Sequence, residues 1–112
     1  MRFEIHTISH FDKRVKKLVK KYKSIKKDIA ELSSELESNP YIGVDLGGGV
    51  RKIRMAISDK GKGKSGGARV ITYTVEIDGL NGRVTLLTIY DKNEQDSISK
   101  DDIALLMDEV QL

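Results

Sequence analysis

The stretch from Lys60 to Arg69 holds the residues best suited to binding an anion. Its sequence, Lys-Gly-Lys-Gly-Lys-Ser-Gly-Gly-Ala-Arg, places three lysines on a backbone that glycine leaves free to bend. Strand-like patterns flank it on both sides, so the charge is presented at the end of a sheet. Such a basic loop suits the phosphodiester backbone of a nucleic acid.

A nucleotide-binding P-loop is the first alternative for this segment, because Gly63-Lys64-Ser65 matches the last three residues of that motif. The leading glycine of a P-loop would stand at position 58, which is a serine. A P-loop also opens a helix, whereas the residues from Arg69 to Val75 form a β-branched run typical of a strand. The context therefore excludes a P-loop.

Positive charge is concentrated in the first two-thirds of the chain. Residues 1–70 contain 17 basic against 8 acidic residues, or +9, and residues 71–112 contain 3 against 9, or −6. Nine basic residues lie between Lys13 and Lys27, and seven between Arg51 and Arg69. A polyanion is the natural partner of this surface, and its binding should weaken steeply with salt. For the first cluster, a solvated helix face is an equally good interpretation.

Length and composition indicate one globular domain over residues 1–112, with 38% apolar and 33% charged residues. The absence of cysteine excludes disulfides and thiolate chemistry. No segment approaches the roughly 20 apolar residues of a membrane span, so we expect a cytoplasmic protein without membrane contact. His6 and His10 have no third ligand in suitable spacing, and we predict neither a metal site nor a cofactor.

Hydrophobic periodicity predicts a short first strand and then two helices. Ser9, followed three places later by Asp12, resembles a capping box at the start of the first helix. Asn39-Pro40 ends the second helix, because proline cannot continue it. The apolar residues form two helical stripes, Phe11, Val15, Leu18, Val19 and Tyr22, and then Ile25, Ile29, Leu32 and Leu36. We expect an antiparallel helix hairpin with its lysines outside.

The period changes to two from Val50 onwards. Three strands are predicted, at Val50–Ile57, Arg69–Ile77 and Arg83–Tyr90, after a glycine-rich loop at residues 43–49. Ser99 is expected to cap an acidic last helix that reaches Leu112. The order β-α-α-β-β-β-α predicts an α+β domain, with the helix hairpin and the last helix against one face of a mainly antiparallel four-stranded sheet.

The same segments carry a resemblance that covers nearly the whole chain. The helix pair ending in Asn39-Pro40, the strand at 50–54, the basic loop with the strand after it, and Leu87-Thr-Ile-Tyr-Asp-Lys-Asn-Glu resemble the RelE/ParE superfamily of bacterial toxins, and most closely its HigB-like branch. The resemblance implies the toxin of a type II toxin–antitoxin pair, which enters the ribosomal A site and cuts mRNA. It also implies a cognate antitoxin as partner, and binding of operator DNA by the toxin–antitoxin complex.

Cutting RNA with its own 2′-hydroxyl requires cationic groups beside the negatively charged phosphorane, and groups that accept and donate protons. It requires no metal. The resemblance places the scissile phosphate on Arg69 and a proton-transfer residue at the end of the last strand. Tyr90 and Lys92 are the candidates there, with Asp91 and Glu94 as possible bases. Lys52 and Arg54 share one side of their strand and complete the predicted catalytic set. RNA-backbone contacts are assigned to Arg51, Lys60, Lys62 and Lys64.

Two other functions stay open at this point. A ParE-like toxin on the same fold would inhibit gyrase by binding protein, without nuclease chemistry. A nonenzymatic module that binds nucleic acid would explain the charge equally well. The family does not fix which residue is the base or the acid, and this chain lacks the histidine that some members use at the end of the last strand.

Overall fold

The computed structural model describes residues 2–110, in which three α-helices pack on a mixed five-stranded sheet. The elements, in chain order, are β1 (Arg2–Thr7), α1 (Ser9–Lys21), α2 (Ile25–Ser38), β2 (Val44–Gly47), β3 (Val50–Met55), β4 (Ala68–Asp78), β5 (Asn81–Asp91) and α3 (Lys100–Met107). The strand order is β1-β5-β4-β3-β2, and only the β1–β5 pair is parallel. The α+β class is confirmed.

The fifth strand, β2, lies within the segment that was expected to be a glycine-rich loop. It pairs antiparallel with the start of β3, where Val44 lies opposite Lys52. Gly47, Gly48 and Gly49 all have positive φ, so they form the tight connection that turns β2 back onto β3. The glycines therefore make a hairpin turn rather than a long loop.

The two predicted helix caps have different outcomes. Ser99 caps α3 as expected, because its hydroxyl oxygen accepts a hydrogen bond from the Asp102 N–H at 3.1 Å. The capping box at Ser9 is wrong: Ile8 occupies the N-cap position of α1, and no side chain caps this end. The acidic last helix ends at Met107, short of the expected Leu112; residues 111 and 112 lie outside the described part of the chain.

The sheet carries helices on both faces. Thr7, which is opposite Leu86 in the sheet, lines a cleft with Phe11 of α1 and Ile29 of α2. Ile103 of α3 instead lines a pocket with Val50 and Lys52. The strand register places Val50 and Lys52 on the other face of the sheet from Leu86. The helix α3 therefore covers the face opposite the helix pair. The expectation of all helices on one face is therefore wrong for α3.

A β-bulge at Leu87 decides where the end of β5 points. Thr72 pairs with Leu86 and Ile71 pairs with Thr88, which leaves Leu87 as an extra residue. Thr88 and Tyr90 consequently face the opposite side from Leu86. Simple alternation would have put Tyr90 with Leu86, so the bulge moves Tyr90 to the side of α3.

None of the helices within residues 2–110 has the length and apolar character needed to cross a bilayer.

Gly67, at the end of the basic loop, is expected to be the least replaceable residue of that loop. A Cβ there would meet the Met55 carbonyl oxygen and lie 2.9 Å from the Ile57 nitrogen. We expect Gly67→Ala to lower the free energy of unfolding by about 1–3 kcal/mol, as for other overpacked sites. Urea denaturation measures this. Gly79→Ala, where a Cβ meets no atom within 4 Å, is the control and should change it by less than about 0.5 kcal/mol.

Candidate nucleic-acid interface

Three neighbouring strands place Arg54, Arg69 and Tyr90 in one row across the sheet. Arg69 lies in the middle, opposite Arg54 of β3 and opposite Tyr90 of β5. Directly opposed residues share a face, with their Cβ atoms about 4.5–5.5 Å apart. Lys52 lies in the adjacent row on the same face, opposite Ile71. The strand register thus brings these four predicted site residues together.

Arg69 is buried, with 5% of its surface exposed. One guanidinium nitrogen donates hydrogen bonds to the carbonyl oxygens of Lys64 and Ala68, each at 3.2 Å, and the other donates to the Ser65 carbonyl at 3.1 Å. The planar group therefore fastens the end of the basic loop to the sheet. A phosphate could accept hydrogen bonds from both guanidinium nitrogens only if it replaced the carbonyl oxygens of Lys64 and Ser65.

Tyr90 has a buried hydroxyl beside Arg69. The residue is 1% exposed, and within residues 2–110 its hydroxyl oxygen has no hydrogen-bond partner. Burial raises the pKa of Tyr90 above its ordinary value, and the positive charge of Arg69 opposes this shift only in part. Tyr90 is therefore a neutral phenol at physiological pH, able to donate a hydrogen bond but not to act as an anionic base.

Lys60 does not project from the basic loop as expected. It ends a 3₁₀ turn at Ser58–Lys60, its side chain is 6% exposed, and its ammonium group binds the Asp91 carboxylate at 2.8 Å. Asp91 is fully buried and also accepts hydrogen bonds from the Tyr22 hydroxyl at 2.9 Å and the Asn93 N–H at 3.0 Å. In this conformation Lys60 anchors the loop to the end of β5 and is not exposed as a free cation.

A second buried carboxylate, Asp28 of α2, anchors the start of the same loop. It accepts hydrogen bonds from the Ser58 N–H at 3.0 Å, from the Ser58 hydroxyl and from the Ser24 hydroxyl. Asp59 accepts in turn from the Ser24 N–H at 2.8 Å. The sequence patterns do not predict this anchor. The available signal was that Asp28 falls on the apolar stripe of α2, three residues after Ile25, where a carboxylate needs a buried partner.

The exposed part of the basic loop is short. Lys62 and Lys64 are exposed, between the anchored 3₁₀ turn and the strand β4. Gly61 and Gly63 each have φ of +64°, which a residue with a side chain rarely adopts. The loop therefore holds two free lysines on a backbone fixed at both ends, rather than three lysines on a flexible rim.

The remaining candidates lie at the edges of this row. Lys92 follows β5 and its N–H donates to the Gly67 carbonyl, while its ammonium group pairs with Asp96 at 3.0 Å. Glu94 pairs with Lys21 of α1 at 2.9 Å. Arg51 points to the opposite face, where it donates to the Tyr41 carbonyl. Asp91 and Arg51 are thus separated from the row by the sheet.

One of the two histidines contacts a side chain of β5, a strand that carries the row. His10 makes a hydrogen bond of 2.9 Å with the Thr88 hydroxyl, and His6 contacts Glu4 at the exposed end of β1. Within residues 2–110, His, Asp and Glu side chains form no group of three arranged to hold a metal ion.

A comparison with protein families matches residues 6–109 to the model described as the RelE toxin of the RelE/RelB toxin–antitoxin system. The chain belongs to the RelE toxin family. It is accordingly the toxin component of a toxin–antitoxin pair, and a cognate antitoxin is its partner. The match includes all three strands that carry Arg54, Arg69 and Tyr90 in this RelE toxin. The narrower expectation of a HigB-like branch stays a prediction.

Proposed function

We propose that this RelE toxin is a ribosome-dependent mRNA endonuclease, in which the ribose 2′-hydroxyl attacks the adjacent phosphate. The hydroxyl proton passes to water, and the bond from phosphorus to the leaving 5′-oxygen breaks. The main support for this proposal is that Arg54, Arg69 and Tyr90 lie in one row on the same face of the sheet. Like charges directly opposite each other are unfavourable in a strand pair, and Arg54 lies opposite Arg69. An anion bound between the two guanidinium groups would offset that repulsion.

Arg54 and Arg69 are assigned to the scissile phosphate. Arg54 is exposed and accessible from solvent, whereas Arg69 is bound to its own loop. Exchange of the Lys64 and Ser65 carbonyls for phosphate oxygens would keep the Arg69 hydrogen bonds satisfied while the loop moves aside. Fixed cationic donors stabilise the charge that grows on the phosphorane, which is where such groups contribute most to the rate. Lys52, in the next row, adds positive charge to the same face.

Tyr90 is assigned to donate a proton or a hydrogen bond toward the leaving 5′-oxygen. Its raised pKa keeps the proton on the phenol, and its hydroxyl has no competing acceptor among the described residues. Lys92 is the second candidate for this acid role, although it must first leave Asp96. Asp91 is excluded as a base in this conformation, because it faces the other side of the sheet and is saturated by Lys60, Tyr22 and Asn93.

The test of this assignment is Tyr90→Phe, which removes one oxygen atom from the row. Because the hydroxyl is buried without a partner, its loss should leave the free energy of unfolding unchanged or slightly higher. We expect the rate of mRNA cleavage to fall by about 100-fold, which is the lower limit of what a general acid or base typically contributes. Primer extension on ribosome-bound mRNA measures the rate. Full activity in Tyr90→Phe would move the acid role to Lys92.

The lysines of α1 and α2 are proposed to meet ribosomal RNA or the antitoxin. Lys13, Lys16, Lys17 and Lys20 are exposed on the side of the sheet away from the row, as are Lys26 and Lys27. We expect an antitoxin with acidic or apolar segments to bind either this surface or the face of Lys52, Arg54 and Arg69. If the purified pair loses no affinity at high salt, this electrostatic account is wrong.

Mapping of mRNA ends after brief induction of the toxin tests the proposed activity in cells. We expect growth arrest together with new mRNA ends inside translated reading frames, at positions related to codon boundaries. Intact mRNA with induced DNA-damage signalling would instead support the gyrase-inhibiting alternative. Intact mRNA with retained RNA binding would support a nonenzymatic module.

A further inference from the structure

A small apolar pocket lies beside the row, between the end of β2, the strand β3 and the start of α3. Its volume is about 280 Å³. Four apolar side chains and two lysines line it, namely Leu46, Val50, Ile98, Ile103, Lys52 and Lys100. Within residues 2–110 neither lysine forms an ion pair. The pocket lining thus combines apolar side chains with two lysines that form no ion pair among the described residues.

The pocket continues the face that carries the proposed scissile-phosphate site. Arg54, Lys52 and Val50 are alternate residues of β3, so all three point to the same side, each about 6.8 Å from the next. Lys52 is the middle residue, and it also lines the pocket. An RNA strand that crosses from Arg54 to Lys52 would therefore reach the pocket close to the cleaved bond.

We propose that this pocket binds one unstacked nucleobase of the single-stranded RNA next to the cleavage site. This inference rests on the proposed function. Its physical basis is that the two lysines attract the phosphates on either side of the base, while the side chains of Val50, Ile98 and Ile103 contact the face of the base. The mixture of charge and apolar surface matches a nucleotide, which is anionic at the phosphate and flat and weakly polar at the base.

Binding of two tetraribonucleotides to the isolated toxin tests this inference. One probe carries 2-aminopurine among ordinary bases, and the other has the same phosphates with all four positions abasic. We expect the base-bearing probe to bind about tenfold more tightly, as stacking of one base provides. The 2-aminopurine fluorescence should change on binding, because the base leaves water.

Leu46→Glu is the informative variant, because Leu46 lines the pocket, is 39% exposed and is not part of the buried core. The new carboxylate weakens both probes by charge, but only loss of the base site lowers their affinity ratio. We expect that ratio to fall to about one. The matched control is Leu105→Glu, the same change at a residue 66% exposed on α3 and outside the pocket, which should keep the tenfold ratio.

Equal affinities of the two probes for the parent protein would overturn the inference, since charge alone would then hold the RNA and the pocket would be left to a protein partner. An unchanged ratio in Leu46→Glu would overturn it as well, because the base would then bind elsewhere. Neither measurement involves cleavage. A failure here is therefore distinguishable from a failure to cut mRNA.

Discussion

Replacement of Arg69 by alanine is expected to relieve the growth arrest that follows induction of the toxin. The substitution removes the guanidinium in the centre of the row and with it the proposed contact to the scissile phosphate. Loss of such a donor typically costs about 2.7–4 kcal/mol of transition-state stabilisation, so we expect mRNA cleavage to fall by about 100- to 1000-fold. The rate of cleavage of ribosome-bound mRNA measures this, with growth after induction as the cellular readout.

Controls are needed because Arg69 also fastens the basic loop through the carbonyls of Lys64, Ser65 and Ala68. Arg69→Lys keeps the positive charge but loses the planar guanidinium with its paired donors. We expect this variant to have only part of the parent's cleavage activity. Lys62→Ala, an exposed change in the same loop, should lower the rate by less than about tenfold. Thermal unfolding and copurification with the antitoxin establish that each variant is folded. A folded Arg69→Ala protein as toxic as the parent would refute the assignment.

Replacement of Asp91 by alanine is expected to have the largest effect on stability. The carboxylate is fully buried and joins Lys60 of the loop, Tyr22 at the end of α1 and the Asn93 N–H. Its removal leaves the Lys60 ammonium group buried without a counterion. Breaking a buried ion pair in this way typically costs about 3–5 kcal/mol, and we expect the free energy of unfolding in urea to fall by that amount. Asp96→Ala, which removes the exposed partner of Lys92, is the matched control and should cost less than about 1 kcal/mol.

The same carboxylate should make the fold sensitive to acid. Burial alone would raise the pKa of Asp91, but the hydrogen bonds from Lys60, the Asn93 N–H and Tyr22 outweigh it and lower the pKa below its ordinary value. A depressed pKa in the folded state stabilises the fold above the unfolded pKa of about 3.9. That contribution is lost as the pH falls through the lower, folded value. The parent should therefore lose more stability than Asp91→Ala in acid; parallel losses would contradict the predicted role.

Local periodicity was enough to predict most of the fold, and the differences have definite causes. The alternation in β3 correctly separated Lys52 and Arg54 from the buried Ile53 and Met55. The capping box failed because Ser9 lies one residue inside the helix, after Ile8. The strand β2 was missed because four residues next to three glycines carry little strand signal, and its pairing with β3 depends on tertiary contacts.

The candidate site was predictable in its residue types but not in its contacts. Arg69 and Tyr90 follow from charge, position and family resemblance, whereas their placement in one row depends on the bulge at Leu87. The sequence predicts a loop lysine at Lys60 that contacts RNA, whereas the structure binds Lys60 to Asp91, 31 residues away in the sequence. The same limit applies to Asp28 and Ser58. Buried polar pairs of this kind join distant segments, and no local pattern reveals which acid will meet which donor.

The proposed mechanism requires the 2′-hydroxyl of mRNA as the nucleophile, with its attack promoted by the row of Arg54, Arg69 and Tyr90. The most direct measurement uses purified ribosomes programmed with one mRNA in two forms, identical except for a single 2′-deoxynucleotide at the mapped cleavage site. We expect the toxin to cut the ribose form and to leave a 2′,3′-cyclic phosphate and a 5′-hydroxyl, while the deoxy form stays intact at that position. Cleavage of the deoxy form at the same bond, or failure to cut either form, would contradict it.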